Sequence, residues 1–283
     1  CRMRLYRDFT TQEQIDAEYN AGAAVPDSAQ RIQGWVSRSA AARETMHCRL
    51  GVRFGPTREE YLDIFPAGDG APVHVFIHGG YWRRFSAREH SFVVPALVQA
   101  GIAVLVVNYA LCPSVTIDEI VRQVRAAVAW AYANAAAFGG DPGRITVSGH
   151  SAGGHLVGMA LSTDWPGAYD LPADTLKAGI AISGLFDLAP FPYSFLQPAL
   201  QLDWAQVRRN SPLGLVPAVG AAMVAAVGGA ESAEFRRQSR AYADAWPGGR
   251  YLEIPDRNHF TVLEELERPD SRLFRTVVDL ANA

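Results

Sequence analysis

An α/β fold, with a mostly parallel central sheet and helices on both faces, is predicted by three observations. Short strand-like segments recur along the chain, and two of them, residues 73–78 and 102–107, are mostly apolar and rich in Val and Ile, as strands buried on both faces are. Helical periodicities separate them, giving a strand, helix, strand, helix rhythm. Glycine- and proline-rich punctuation, as in Gly139-Gly140-Asp141-Pro142-Gly143, closes the units.

Taken in order, the chain opens with a helical lead over about residues 1–47. Thr10 and Glu13 have the spacing of a capping box, and Pro26-Asp27 opens a second helix running to about Met46. Strands are predicted over residues 50–54, 61–65, 73–78 and 102–107. A long helix over 116–138 follows, then a strand over 144–148 and a helix from Ser151. Further strands are predicted over 179–183, 222–227 and 251–254, each followed by a turn and a helical pattern. Residues 188–217 break the rhythm: they are rich in proline and aromatics and show one helical period, near 198–209. They are read as a small cap-like insertion over the carboxyl ends of the strands, where ligand sites of open sheets lie. The whole of 1–283 is read as one domain carrying these two additions.

Composition narrows the function. The chain has 283 residues, 49% hydrophobic and 19% charged, long enough to bury about three quarters of its unfolded surface without a disulfide or metal. A formal charge of -3, with Lys177 the one lysine and the arginines scattered, argues against nucleic acid as a partner. Cys1, Cys48 and Cys112 show no C-x-x-C spacing, so neither a disulfide framework nor a thiolate metal site is expected, and a cytoplasmic location fits best. No apolar run approaches 18 residues and the first five residues lack a signal-peptide core, so no membrane association is expected. Met3 is a candidate native start. H-E-x-x-H is absent, and His74 and His78, four apart on a predicted strand, are separated by roughly 13 Å, too far to share one metal. No metal or cofactor is therefore expected. A homo-oligomer is left open.

The chemistry is carried by Gly149-His150-Ser151-Ala152-Gly153, a G-x-S-x-G pattern between a predicted strand and helix. Such an elbow holds its serine in a strained turn facing the cleft, and small neighbours let strand and helix approach. A plain helix-capping serine is the blander alternative. A serine hydroxyl needs a base, and the base needs a carboxylate to fix its tautomer. The chain order of elbow sites is serine, acid, histidine, and only His155 and His259 follow Ser151. His155 lies one helical turn past the serine and is read as a packing residue; His259, in a loop after a strand, is the predicted base. Among Asp187, Glu231, Glu234 and Asp256, position favours Glu231, one strand before the histidine, with Asp187 second. His78-Gly79-Gly80-Tyr81-Trp82 leaves a strand as a turn suited to oxyanion binding by the N–H groups of Gly80, Tyr81 and Ala152. Tyr81, Trp82, Phe191 and Tyr193 are assigned to the substrate-binding wall. Arg83 and Arg84 are candidates for a substrate carboxylate, although paired loop arginines are more often simply solvated.

These residues, together with Ser183-Gly184-Leu185-Phe186-Asp187-Leu188, Glu234-Phe235-Arg236-Arg237-Gln238-Ser239 and Asn258-His259-Phe260, resemble the kynurenine formamidase (arylformamidase) branch of the α/β-hydrolases, a branch related to hormone-sensitive-lipase-like esterases. The resemblance covers nearly the whole chain. It implies an α/β-hydrolase fold and a metal-free serine hydrolase whose best-known members release formate from N-formylkynurenine. It implies Ser151 as nucleophile and His259 as base. The family's acid stands in an Asp-Ser-Pro-Glu-Phe run, which here reads Glu231-Ser232-Ala233-Glu234-Phe235, supporting Glu231 with glutamate in place of aspartate. The expected substrate is a small ester or formamide. The alternatives are a general carboxylesterase, a thioesterase or acyltransferase on the same residues, and a catalytically silent ligand-binding scaffold.

Overall fold

The computed structural model describes residues 4–217 and 220–283; Cys1 and Met3 lie outside the described residues. Eight strands form one sheet: β1 (Arg49–Arg53), β2 (Tyr61–Phe65), β3 (Ala71–Ile77), β4 (Ala103–Val107), β5 (Gly140–His150), β6 (Ala178–Ile182), β7 (Ala222–Gly228) and β8 (Arg250–Ile254), in the order β1-β2-β4-β3-β5-β6-β7-β8. β2 pairs antiparallel with both β1 and β4, and every other pairing is parallel. The central strands are apolar on both faces because both faces are covered. Val73, Val75 and Ile77 of β3 join one core cluster while Phe76 joins the other.

The helices are α1 (Gln12–Tyr19), α2 (Ala21–Ala24), α3 (Ser28–Thr45), α4 (Val94–Gln99), α5 (Ile117–Asn134), α6 (Ala152–Leu161), α7 (Trp165–Tyr169), α8 (Gln197–Leu200), α9 (Trp204–Arg209), α10 (Ala233–Ala245) and α11 (Arg272–Ala281). Apolar residues of α5, α6 and α10 belong to one cluster, and those of α3, α4 and α11 to the other. α5 is cut to size by its caps: the Thr116 side chain accepts from the Glu119 N–H, and after a 3-10 turn Gly139 takes a left-handed φ of 81°.

Three expectations shift. The capping box of α1 is built by Thr11 with Gln14, one residue beyond Thr10 and Glu13, because the Gln14 side chain accepts from the N–H groups of both Thr10 and Thr11. β5 begins at Gly140 instead of 144: its first residues pair with Ala71 and Pro72 before the register shifts, so the glycine- and proline-rich run continues a strand edge as well as closing a helix. The insertion between β6 and β7 holds two short helices, α8 and α9, where one was expected, with the Asp203 capping box restarting the chain after a left-handed Gln201.

Candidate active site

Ser151 stands at the carboxyl end of β5, on the turn into α6, with φ 58° and ψ -116°. A non-glycine residue there stores on the order of 1–3 kcal/mol of strain. The turn is possible because its neighbours carry no side chain: a Cβ on Gly149 would lie 2.4 Å from the Gly153 carbonyl oxygen, and one on Gly153 would lie 2.1 Å from that of Ile77. The Ser151 N–H is held by the Ile182 carbonyl at 2.8 Å, while its side chain makes no capping bond to α6. A capping serine would spend its oxygen on the helix; Ser151 leaves it toward a cavity that it lines.

His259 borders the same cavity and is buried, on the loop after β8. Its Nδ1 lies 2.6 Å from Glu231 Oε2, and Glu231, on the loop after β7, is buried as well. The other oxygen of Glu231 accepts from the Ser183 hydroxyl at 2.5 Å and from the Gly228 N–H at 2.7 Å. The carboxylate is thus held on both oxygens, which fixes the ring it faces. The carbonyl of His259 accepts from His150 Nε2 at 2.8 Å, and Phe235 and His150 flank the His259 ring at 4.5 and 4.6 Å between centroids. Burial, aided by the nearness of His259, pushes His150 well below its ordinary histidine value, so it is a neutral brace whose one N–H serves His259.

Asp187, the second candidate acid, lies elsewhere: it accepts from the Tyr6 hydroxyl at 2.9 Å and from the Ala189 N–H at 3.0 Å. Glu234 binds Tyr19 and Arg237, and Asp256 is exposed. His155 bonds the Trp82 indole N–H through Nδ1, at 3.2 Å, and gives its Nε2 proton to the Asn210 carbonyl at 2.7 Å. It is a relay of fixed tautomer, kept neutral by burial, which lowers it to about 4.

The turn after β3 approaches Ser151 through Gly79, where a Cβ would lie 2.6 Å from the His150 carbonyl. Gly80, Tyr81 and Trp82 all have positive φ, of 106°, 52° and 56°. Such a run turns successive N–H groups toward one side, and among the described residues no acceptor pairs with those of Gly80 or Tyr81. The loop is braced from several directions: the Tyr109 hydroxyl donates to the His78 carbonyl at 2.8 Å, the His78 ring stacks on Tyr109 at 4.1 Å, and the Tyr81 hydroxyl donates to the Tyr19 carbonyl.

The cavity measures about 500 Å³, and its walls differ from the expected ones. Tyr81 lines it. Trp82 and Phe191 are fully buried and pack edge-on against each other behind the wall, and Tyr193 packs on Trp204 and lines a separate surface groove. Apolar wall is supplied instead by Ile32 and Trp35 of α3, and by Phe85, Phe195 and Phe260. Of the 188–217 insertion only Phe195 reaches the cavity, whereas the helical lead contributes a wall running from Asn20 to Trp35. No sequence signal marked Trp35, since spacing along a helix says which face is apolar but not what that face covers; Phe195 belongs to the aromatic-rich insertion read as a cap, in which Phe191 and Tyr193 are the residues assigned to the wall instead.

The fold and the site together define an α/β-hydrolase. A family model, BD-FAE, matches residues 62–170. The chain is 31% identical over 252 residues to the kynurenine formamidase of Salmo salar, covering 84% of each chain, and 27% identical to esterase LipQ of Mycobacterium tuberculosis, covering 74% of this chain and 56% of that one. A crystal structure of a candidate thioesterase from a Silicibacter species superposes with a TM-score of 0.84 at 31% identity, over 95% of this chain and 99% of that one. The chain belongs to the kynurenine formamidase family and is a hydrolase of the esterase and formamidase class.

Proposed function

We propose that the chain hydrolyses a small aryl formamide, of the N-formylkynurenine type, through an acyl-enzyme. The observation that carries this reading is the buried Glu231–His259 pair at 2.6 Å, on the cavity that a serine held in a strained elbow also lines. Ser151 Oγ attacks the formyl carbonyl carbon while His259 Nε2 takes its proton. Glu231 holds Nδ1–H and stabilises the imidazolium that forms. The N–H groups of Gly80, Tyr81 and Ala152 stabilise the oxyanion. His259 then gives the proton to the leaving aniline nitrogen as the C–N bond breaks. A water, deprotonated by the same ring, attacks the formyl-serine to release formate and restore Ser151. The family supports the substrate class, and the aromatic wall of Trp35, Tyr81 and Phe260 suits an aryl leaving group.

A second reading, a carboxylesterase on the same residues, is supported by the likeness to esterase LipQ. The deciding measurement is kcat/KM on N-formylkynurenine beside p-nitrophenyl acetate and butyrate, with Ser151→Ala and Glu231→Gln in parallel. Formamide turnover well above the esters, lost in Ser151→Ala, is the expected result; fast ester cleavage without formate release would replace the formamidase reading with the esterase one. Glu231→Gln is expected to lower kcat by about 10³- to 10⁴-fold, the scale found when the orienting acid of such a group of residues is neutralised.

A further inference from the structure

The cavity over Ser151 is electrically lopsided. Arg83 and Arg84 both line it, and among the described residues none of those lining it is an aspartate or glutamate. The two arginines differ. Arg84 is exposed and lies over the Phe85 ring. Arg83 is half-buried: its guanidinium sits 5.6 Å from the centroid of Phe195, and its Nε is buried without a hydrogen-bond partner. Elsewhere in the molecule arginines find acids, Arg122 with Glu60 at 2.5 Å, Arg209 with Asp118 at 2.7 Å and Arg237 with Glu234 at 2.6 Å. No such partner serves Arg83 among the described residues. A planar fork of donors, half out of water and unspent, is the arrangement that a carboxylate completes.

Its position says which part of the substrate the carboxylate belongs to. Arg83 follows Gly80 by three residues, and its N–H donates to the Gly80 carbonyl at 3.1 Å, so it is tied to the loop that flanks the reacting carbonyl. A formyl group has no atom to carry a charge, so under the formamide reading the charge must sit on the leaving group. We infer that Arg83 is the specificity-determining residue of this site: it reads a carboxylate on the leaving group and so sets a preference for aryl formamides or small aryl esters that carry one over their neutral counterparts. The inference rests on the hydrolase reading above and sharpens its substrate class. Phe195 holds the guanidinium at the wall by its ring face, which leaves the edge of the fork for the ligand.

Two matched pairs test it: N-formylkynurenine against its carboxyl methyl ester, and 4-acetoxybenzoate against methyl 4-acetoxybenzoate, each with the wild type, R83Q and R83K. The readout is the acid-to-ester ratio of kcat/KM. The wild type is expected to favour the acid of each pair. R83Q is expected to lower that ratio 10- to 100-fold, chiefly through KM of the acid, the range that a charge-assisted bond contributes. R83K, which keeps the charge and loses the fork, is expected to restore part of it. A wild-type ratio near one, or a ratio unchanged in R83Q, overturns the inference. Failure of the formamidase reading shows separately, as acetate release without formate release; the ratio is then read on the acetoxybenzoates alone. Absence of turnover on all four substrates overturns both.

Discussion

Ser183 has a left-handed φ of 50°, and its hydroxyl makes the 2.5 Å bond to Glu231. Nothing in the chain order of an elbow site points to it; it becomes visible only when β6 and β7 lie side by side with Glu231 after the latter. Ser183→Ala leaves the inner oxygen of Glu231 with the Gly228 N–H alone, and losing a bond to a charged acceptor is expected to cost about 1.5 kcal/mol or more, or at least a tenfold fall in kcat, with KM little changed. Steady-state kinetics check this, and an unchanged kcat would make Ser183 a packing residue only. The residues proposed as nucleophile, base and acid were legible because their order along the chain is constrained by the path of the strands. Apart from Tyr81, the cavity wall was not, because Trp35 and Phe195 join the cavity of Ser151 across more than a hundred and more than forty positions of chain, and no local pattern carries that distance.

Among the elements, the link between α1 and α10 joins the helical lead to the acid loop. Ser232 precedes α10 but makes no capping bond; the Glu18 carboxylate accepts the Glu234 N–H at 2.9 Å instead, and the Ser232 hydroxyl donates to the Glu18 carbonyl at 2.6 Å. α10 is thus capped by another helix, which sets the end of the loop that carries Glu231. Glu18→Ala is expected to lower stability by about 1 kcal/mol, as loss of a helix cap does, and to reduce activity as well. Chemical denaturation beside kinetics separates the two effects. The turn after β3 is tighter still. Gly79→Ala sets a Cβ 2.6 Å from a backbone oxygen that cannot rotate away, so the loop must move off Ser151. A fall in kcat of about 10²-fold is expected, comparable to removal of one oxyanion donor, with activity near wild type as the result that would deny this loop its role.

For the molecule as a whole, burial of histidine sets the response to acid. His74 bonds Thr146 and Ser148 inside the sheet, and burial lowers it and His78 to about 3, and His90 and His155 to about 4, from an ordinary 6.5. A group depressed in the folded state is neutral in both states above pH 6.5, where its contribution to stability is complete. Between pH 6.5 and about 4 the unfolded chain takes up the proton and the folded chain does not, so stability falls as the pH falls, by an amount on the order of 3 kcal/mol per histidine across the full window. The melting temperature is expected to decline steeply from pH 6.5 to 5 and to be level from 6.5 to 8. A level profile down to pH 5 would mean that these rings are not held neutral.

The sheet class, the elbow, the order of the three site residues and the turn after β3 were determined by the sequence alone, because each depends on neighbours within a few residues or on the simple succession of strands. Tertiary structure alone decided which oxygen of Glu231 faces which donor, which helices roof the cavity, and that Arg83 borders it while Trp82 and Phe191 lie behind the wall. The physical reason is the same throughout: a local conformation is set by the backbone preferences of adjacent residues, whereas the wall of a cavity is set by how apolar faces from distant segments are forced together when water is expelled from between them.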